Sequence, residues 1–393
     1  MFSFPGLSVQ TVGWTMAALL AMVLAGCSPR ADAHQASADV VAELSGPSDP
    51  GFARALAPRP LVFPQDHGPH PEFATEWWYY TGNLQDPEGQ DYGYQLTFFR
   101  TALAPQDPDR PSRWATTQVY MAHFALTSAP AGRHVAFDRF SRGAAGLAGA
   151  QGVPTFQVWL EDWQVQQVGP GRYRLQAREP TAEGLMAMDL DLRETRPPVL
   201  HGDRGLSQKG PEPGNASYYY SLVNLETTGV LTFAGEAVSV QGLSWMDHEF
   251  GTSALSGDAV GWDWFSAQLD NGMVLMFGRI RNADGSSQPH FEGTLLYPDG
   301  RQVRLAPEDF ELRALGSWTS PQTGIVYPQG WQVRFPAHGL ELRIEPIVAD
   351  QEMRVSFVYY EGATRIWGTF QGAPVRGRGF VELTGYGGRR SAR

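Results

Sequence analysis

The chain has 393 residues, more than one hydrophobic core usually supports, so two domains are expected. Apolar residues make up 42% and charged residues 18%, which excludes a disordered chain. The formal charge of −11, with Lys209 as the only lysine and no Lys/Arg cluster, argues against nucleic-acid partners and against an anionic-lipid patch.

At the N-terminus, Met16–Ala25 is an apolar run too short to span a bilayer with ease. Leu24-Ala25-Gly26-Cys27 then reads as a bacterial lipobox with the single cysteine as its lipidated residue. Residues 1–26 are expected to be a lipoprotein signal peptide, although no Lys or Arg precedes the apolar run. Two or more acyl chains on Cys27 would hold the protein stably on a membrane. Ser28 after the cysteine predicts the periplasmic face of the outer membrane. Residues 27–64, rich in Ala, Pro, Ser, Asp and Gly, are expected to be a flexible tether, with a short helix near Ala38–Leu44.

Beyond Pro71 the chain becomes short apolar and aromatic runs separated by turn signals. Tyr92–Arg100, Val119–Thr127, Thr155–Leu160, Arg172–Arg178 and Leu185–Leu192 are predicted strands of a first domain. Val230–Phe233, Ala237–Val240, Met273–Ile280, Thr294–Tyr297, Gln332–Phe335, Glu341–Ile344, Arg354–Tyr360 and Arg365–Phe370 continue the pattern in a second. Asn271-Gly272, Asp284-Gly285 and Asp299-Gly300 mark hairpin turns. The class is all-β.

Trp77-Trp78-Tyr79-Tyr80-Thr81-Gly82-Asn83-Leu84 can be laid over Trp262-Asp263-Trp264-Phe265-Ser266-Ala267-Gln268-Leu269. Each copy leads through a Gly-containing turn to an apolar run ending in an arginine, Arg100 or Arg281. The repeat predicts two related barrels, residues 65–222 and 223–393, with a boundary near Ser221–Gly229. Closed barrels remove sheet edges and can enclose one small ligand.

Three segments, Glu76–Gly82, Ser244-Trp245-Met246-Asp247-His248-Glu249-Phe250-Gly251 and Gly379–Tyr386, together resemble the AttH and carotenoid-hydratase family. The resemblance implies two lipocalin-like antiparallel β-barrels packed in tandem, an apolar isoprenoid, polyene or lipid-like ligand, and no cofactor. Members of the family include carotenoid hydratases, pericyclic cyclases and proteins labelled secreted hydrolases, and some lie beside ABC transporter permeases. The expected function is therefore a lipid-anchored carrier or accessory protein of an ABC transporter. The alternative is a hydratase, cyclase or hydrolase with His248 as acid or base. The hydratases' catalytic histidine matches His248 in the Asp-His run, whereas the tryptophan two residues on is Phe250 here. Their Tyr-x-Asp pair falls on Phe277-Gly278-Arg279, where the acidic partner is missing.

Alkene hydration needs a proton donor, a stabilised cation and a base for water. Asp247, His248 and Glu249 bring acid and base groups together, and in a strand Asp247 and Glu249 share one face while His248 takes the other. Trp245, Trp262 and Trp264 offer π faces to a cation, and Asp263 between two tryptophans is a candidate acid if buried. Glu76, Trp77, Trp78, Tyr79, His123, Tyr360, Glu361, Glu382 and Tyr386 complete the candidate ligand site. For Glu76 a hydrogen bond to indole N–H groups, and for His123 a satisfied core position, are the competing readings. No Gly-x-Ser-x-Gly elbow, His-Glu-x-x-His motif or phosphate loop occurs, and His67 and His70 lie in a Pro-rich stretch, so no metal site is expected.

Overall fold

The computed structural model describes residues 51–106, 109–252, 255 and 258–387. Two antiparallel sheets carry these residues. The first contains β1 (Thr75–Gln85), β2 (Asp91–Ala102), β3 (Gln118–Ser128), β4 (Arg133–Arg142), β5 (Ala148–Gln151), β6 (Gln157–Leu160), β7 (Trp163–Gly169), β8 (Arg172–Thr181) and β9 (Gly184–Glu194). It continues with the short β10 (Val199–Leu200) and β11 (Leu206–Gln208) and the long hairpin of β12 (Ala216–Phe233) and β13 (Glu236–Gly251). The second contains β14 (Ala259–Leu269), β15 (Val274–Asn282), β16 (Gly293–Leu296), β17 (Gln302–Leu305) and β18 (Glu311–Thr319). It ends with β19 (Val326–Phe335), β20 (Leu340–Pro346), β21 (Glu352–Arg354), β22 (Val358–Phe370) and β23 (Ala373–Leu383).

The strand order is β4-β3-β2-β1-β13-β12-β9-β8-β7-β6-β5 in the first sheet and β17-β16-β15-β14-β23-β22-β20-β19-β18 in the second. Strands far apart in that order nevertheless share a core, because each sheet curls on itself. Phe124 of β3 meets Trp163 of β7 edge to face at 5.5 Å, and Phe277 of β15 meets Phe335 of β19 at 5.4 Å. The two apolar cores this creates are separate, one per sheet. The molecule is all-β, with two lipocalin-like barrels, as expected.

The aromatic repeat marks equivalent positions. β1 and β14 each open a sheet, and each pairs with its hairpin partner on one side and with the last strand of its own sheet on the other. Turns follow the predicted Gly residues: Gly272, Gly285 and Gly300 all have φ near +83°, the left-handed region that glycine enters without a Cβ clash.

Two expected boundaries move. The division near Ser221–Gly229 falls inside β12, which pairs with β13 through Phe233. Val230–Phe233 and Ala237–Val240 therefore extend the first sheet, and the change of sheet comes at 252–258. A long hairpin crossing the predicted boundary carries no composition break to mark it. The second shift is in the tether. Residues 51–64 pack against the first barrel, with Ala55 buried beside Phe73 and Phe250, and Leu61 and Phe63 against the barrel core. The expected signal peptide, Cys27, the expected helix near Ala38–Leu44 and the rest of the expected tether lie outside the described residues.

The barrels meet along a seam. Gly93 of β2 lets the sheets approach, since a Cβ there would lie 2.6 Å from the Ala363 Cβ of β22. Asp91 binds Arg365 Nε at 2.5 Å and also pairs with Arg378. Asn83 donates to the Gly379 carbonyl at 2.9 Å.

Candidate functional site: the cavity in the seam

Beyond this tight contact the two sheets part around a cavity of about 330 Å³. Strand alternation decides what faces it. β1 contributes Trp77 and Tyr79, β2 Phe99, β14 Trp262 and Trp264, and β22 Tyr359 and Glu361, with Phe291, Phe357 and Ile280 completing apolar walls. The two copies of the repeat thus put Trp77 and its counterpart Trp262 in one lining, and Tyr79 meets Trp264 edge to face at 5.6 Å.

Asp247 and Glu249 of β13 face the cavity, together with Glu382 of β23. Asp247 is the cross-strand neighbour of Tyr79, and Glu382 of Trp264, so these two acids are repeat-related as well. Glu361 lies directly across from Glu382 on β22. Asp247 accepts hydrogen bonds from Tyr219 at 2.8 Å, from the Trp245 indole at 2.6 Å and from Ser221. Burial pushes its carboxyl up to about 7 despite these donors. Burial likewise pushes Glu382 up to about 7, with the Trp262 indole opposing the shift and the Asp247 and Glu249 charges adding to it. Glu361, buried beside Glu382, rises well above the usual carboxylate range. Glu249 is different: Lys209 Nζ binds it at 2.6 Å, and Ser217 donates to it. The Lys209 ammonium also sits over the Tyr219 and Phe291 rings, 5.0 and 5.3 Å from their centroids.

His248 does not line the cavity. The alternation that puts Asp247 and Glu249 on the seam face turns the imidazole into the first barrel, where it is fully buried and stacked on Trp78 with ring centroids 4.9 Å apart. Its Nδ1 bonds the Tyr220 hydroxyl and its Nε2 bonds Glu76 Oε1, both at 2.9 Å. Burial holds the imidazole below its ordinary pKa, although Glu76 opposes this. The imidazole therefore meets the cavity only through Glu76, which touches the lining. The carboxylate that His248 meets is that of Glu76, from β1.

Glu76 binds Arg100 Nε at 2.8 Å and His70 Nδ1 at 2.8 Å. Burial alone would raise its pKa, but Arg100, His248 and His70 outweigh that and hold the carboxyl well below its ordinary range. Ligand atoms of His70, Glu76 and His248 lie within 4.8 Å of one another. Both imidazoles share Glu76 Oε1, and the Arg100 cation opposes a second cation on that carboxylate. The group therefore reads as a buried hydrogen-bonded knot. The competing reading of Glu76 as a partner of indole N–H groups gives way to this knot; the Trp78 indole donates to the His67 carbonyl at 2.9 Å.

Other expected residues scatter. Asp263 touches the cavity edge, but Arg279 Nε at 2.8 Å, Arg281 Nε at 3.0 Å and the Tyr386 hydroxyl at 2.9 Å claim its carboxylate. Tyr386 stacks against Arg281, with 4.0 Å between the guanidinium and the ring centroid. Trp245 stands behind Asp247, and Trp78 and Tyr360 belong to the two barrel cores. His123 lies one layer behind the wall, its Nδ1 2.7 Å from the Tyr359 hydroxyl, and burial pushes its pKa down to about 3. Phe99, Lys209, Tyr219, Phe291, Phe357 and Tyr359 line the cavity without having been expected to bind ligand. The one available signal was that Lys209 is the chain's only lysine.

The AttH-like family profile matches residues 54–386. A crystal structure of an AttH protein from Nitrosomonas europaea is 34% identical and superposes with a TM-score of 0.74, covering 85% of this chain and 100% of that one. Kievitone hydratase from Nectria haematococca, 15% identical, shares the fold with a TM-score of 0.63 over 86% of this chain and 96% of its own. No curated protein matches the sequence. On the family profile and the Nitrosomonas relative, the chain belongs to the AttH-like family.

Proposed function

We propose that the seam cavity is the active site of a hydratase-type reaction on an apolar, unsaturated ligand. The observation that carries this reading is a repeat-related pair of acids, buried Asp247 and half-buried Glu382, poised near neutrality in an aromatic cavity. Groups with pKa values near the working pH are the efficient general acids and bases. Their surroundings divide the labour. Glu382 has one donor, the Trp262 indole, and the Asp247 and Glu249 charges beside it favour its protonated form, whereas three donors on Asp247 stabilise a carboxylate.

Glu382 gives its proton to one alkene carbon, and the cation formed at the other carbon faces Trp77, Trp262 and Trp264. Water bonds to that carbon, and Asp247 takes the proton the water releases. Proton return from Asp247 to Glu382 through solvent resets the site, and the sum is alkene plus water giving alcohol. The fold shared with a protein named as a hydratase agrees with this reading. A carrier handing an apolar molecule to an ABC permease would need only the apolar walls, and the paired acids would have no purpose.

Incubation with acyclic terpenes in D₂O tests the proposal. The wild type should yield alcohols carrying one carbon-bound deuterium, and Asp247→Asn or Glu382→Gln should lower that rate by about 10²–10⁴-fold. Unlabelled, unhydrated terpene after prolonged incubation with the wild type would sink it.

We further propose lipid anchoring through Cys27, supported by Leu24-Ala25-Gly26-Cys27, with an envelope location as its consequence. Labelled palmitate should enter the wild type and not Cys27→Ser.

A further inference from the structure

Glu361 stands in the cavity wall with only 1% of its surface exposed. Its Oε2 accepts the Tyr79 hydroxyl hydrogen at 2.8 Å, and its Oε1 has no hydrogen-bond partner among the described residues. The cations around the cavity are committed elsewhere: Lys209 to Glu249, Arg100 to Glu76, and Arg279 and Arg281 to Asp263. A buried carboxyl without a cation is held as the neutral acid. With Oε2 already accepting, the acid proton belongs on Oε1, where it meets no acceptor.

A buried donor left this way is costly unless a ligand or water completes it. The neighbouring hydroxyls are already engaged, Tyr79 with Glu361 itself and Tyr359 with His123. A ligand hydroxyl would satisfy Glu361 and bring a new donor needing an acceptor of its own. A carbonyl oxygen only accepts, so it satisfies the site outright. We infer that Glu361 is the polar anchor of the cavity, donating one hydrogen bond from Oε1 to a carbonyl oxygen on an otherwise apolar ligand. Because Glu361 and Glu382 are cross-strand neighbours, an anchored carbonyl sets the adjoining carbons beside the proposed proton donor. The inference rests on the reading of the seam cavity as an apolar-ligand site, and it names the ligand class that site selects.

Binding of 2-decanone and of 2-methyl-1-decene, which differ by C=O against C=CH₂, isolates the anchor. Quenching of the wall tryptophans reports both. The wild type should bind the ketone about tenfold more tightly. Glu361→Leu should bind both probes alike while keeping its affinity for the alkene. Glu361→Gln should keep the ketone preference, because its amide oxygen can accept from Tyr79 while its N–H donates. The ketone C=O stretch should move to lower frequency in the wild type, a reading that needs no variant to fold. Equal affinities and an unshifted stretch in the wild type would overturn the anchor alone, as would a preference surviving in Glu361→Leu. Failure of the wild type to bind either probe would overturn both the anchor and the apolar-ligand reading beneath it.

Discussion

Asp247 and Glu382 make opposite demands on stability from those of Glu76. Their folded pKa values, about 7, stand above the ordinary values of 3.8 and 4.5 that apply in an unfolded chain. Between about pH 4 and 7 the folded protein therefore holds more protons than the unfolded chain, so this contribution is complete below that window and lost as pH rises through it. Glu76 has a depressed folded pKa, so its contribution is present above about 4.5 and lost as pH falls below. The double variant Asp247→Asn/Glu382→Gln should flatten the decline from pH 4 to 7 and be more stable than the wild type at pH 8 by about 2 kcal/mol. Urea unfolding across pH measures it, and an unchanged slope would contradict the assignment. His248→Ala strips partners from Glu76 and Tyr220 inside the first barrel and should cost about 2–4 kcal/mol. Binding of an apolar probe to the folded variant should persist, since the imidazole does not reach the cavity. The sequence placed Asp247 and Glu249 on one strand face and His248 on the other, which the structure bears out. It could not say which face mattered, because every residue of β13 from Ser244 to Gly251 is buried. One face packs on its own barrel and the other on the seam, so no polarity contrast separates them.

At the scale of elements, β1 is the strand on which both the core and the cavity depend. Trp78 and Tyr80 point into the barrel, Trp77 and Tyr79 line the cavity, and Glu76 touches the lining while bonding His248 behind it. Trp78 is fully buried, hydrogen-bonded to the His67 carbonyl and stacked on His248. Trp78→Ala should cost about 3–5 kcal/mol, read by denaturant titration; a loss under 1 kcal/mol would show the stack to be dispensable. The repeat linking β1 to β14 was legible because the aromatic spacing survives in both copies. Most hairpins were legible too, since alternation and Asn-Gly or Asp-Gly turns are local signals. The continuation of β12 and β13 past the predicted boundary was not, because strand length is fixed by a partner, here β9 alongside β12. The packing of 51–64 was hidden for the same reason: Ala55, Leu61 and Phe63 sit among prolines and show no period of their own.

In the whole molecule, the seam combines close apolar contact at Gly93 and Ala363 with a charged lock of Asp91 on Arg365 and Arg378. Asp91 is only 5% exposed, and losing it leaves two arginines facing each other across the second barrel's β22 and β23. Asp91→Ala should lower stability by about 2–4 kcal/mol, and it should weaken apolar-probe binding although Asp91 does not line the cavity. Calorimetry and a probe titration on the same preparation check the two effects together. The cavity belongs to neither barrel, since its opposite walls are β1 and β2 on one side and β14 and β22 on the other. Each barrel, by contrast, keeps a complete apolar core of its own. Modest heating can therefore slacken the joint while both hydrogen-bonded ladders persist. Catalytic inactivation should then begin several degrees below the loss of far-ultraviolet circular dichroism, and halves of the chain expressed apart should be inert however well each one folds.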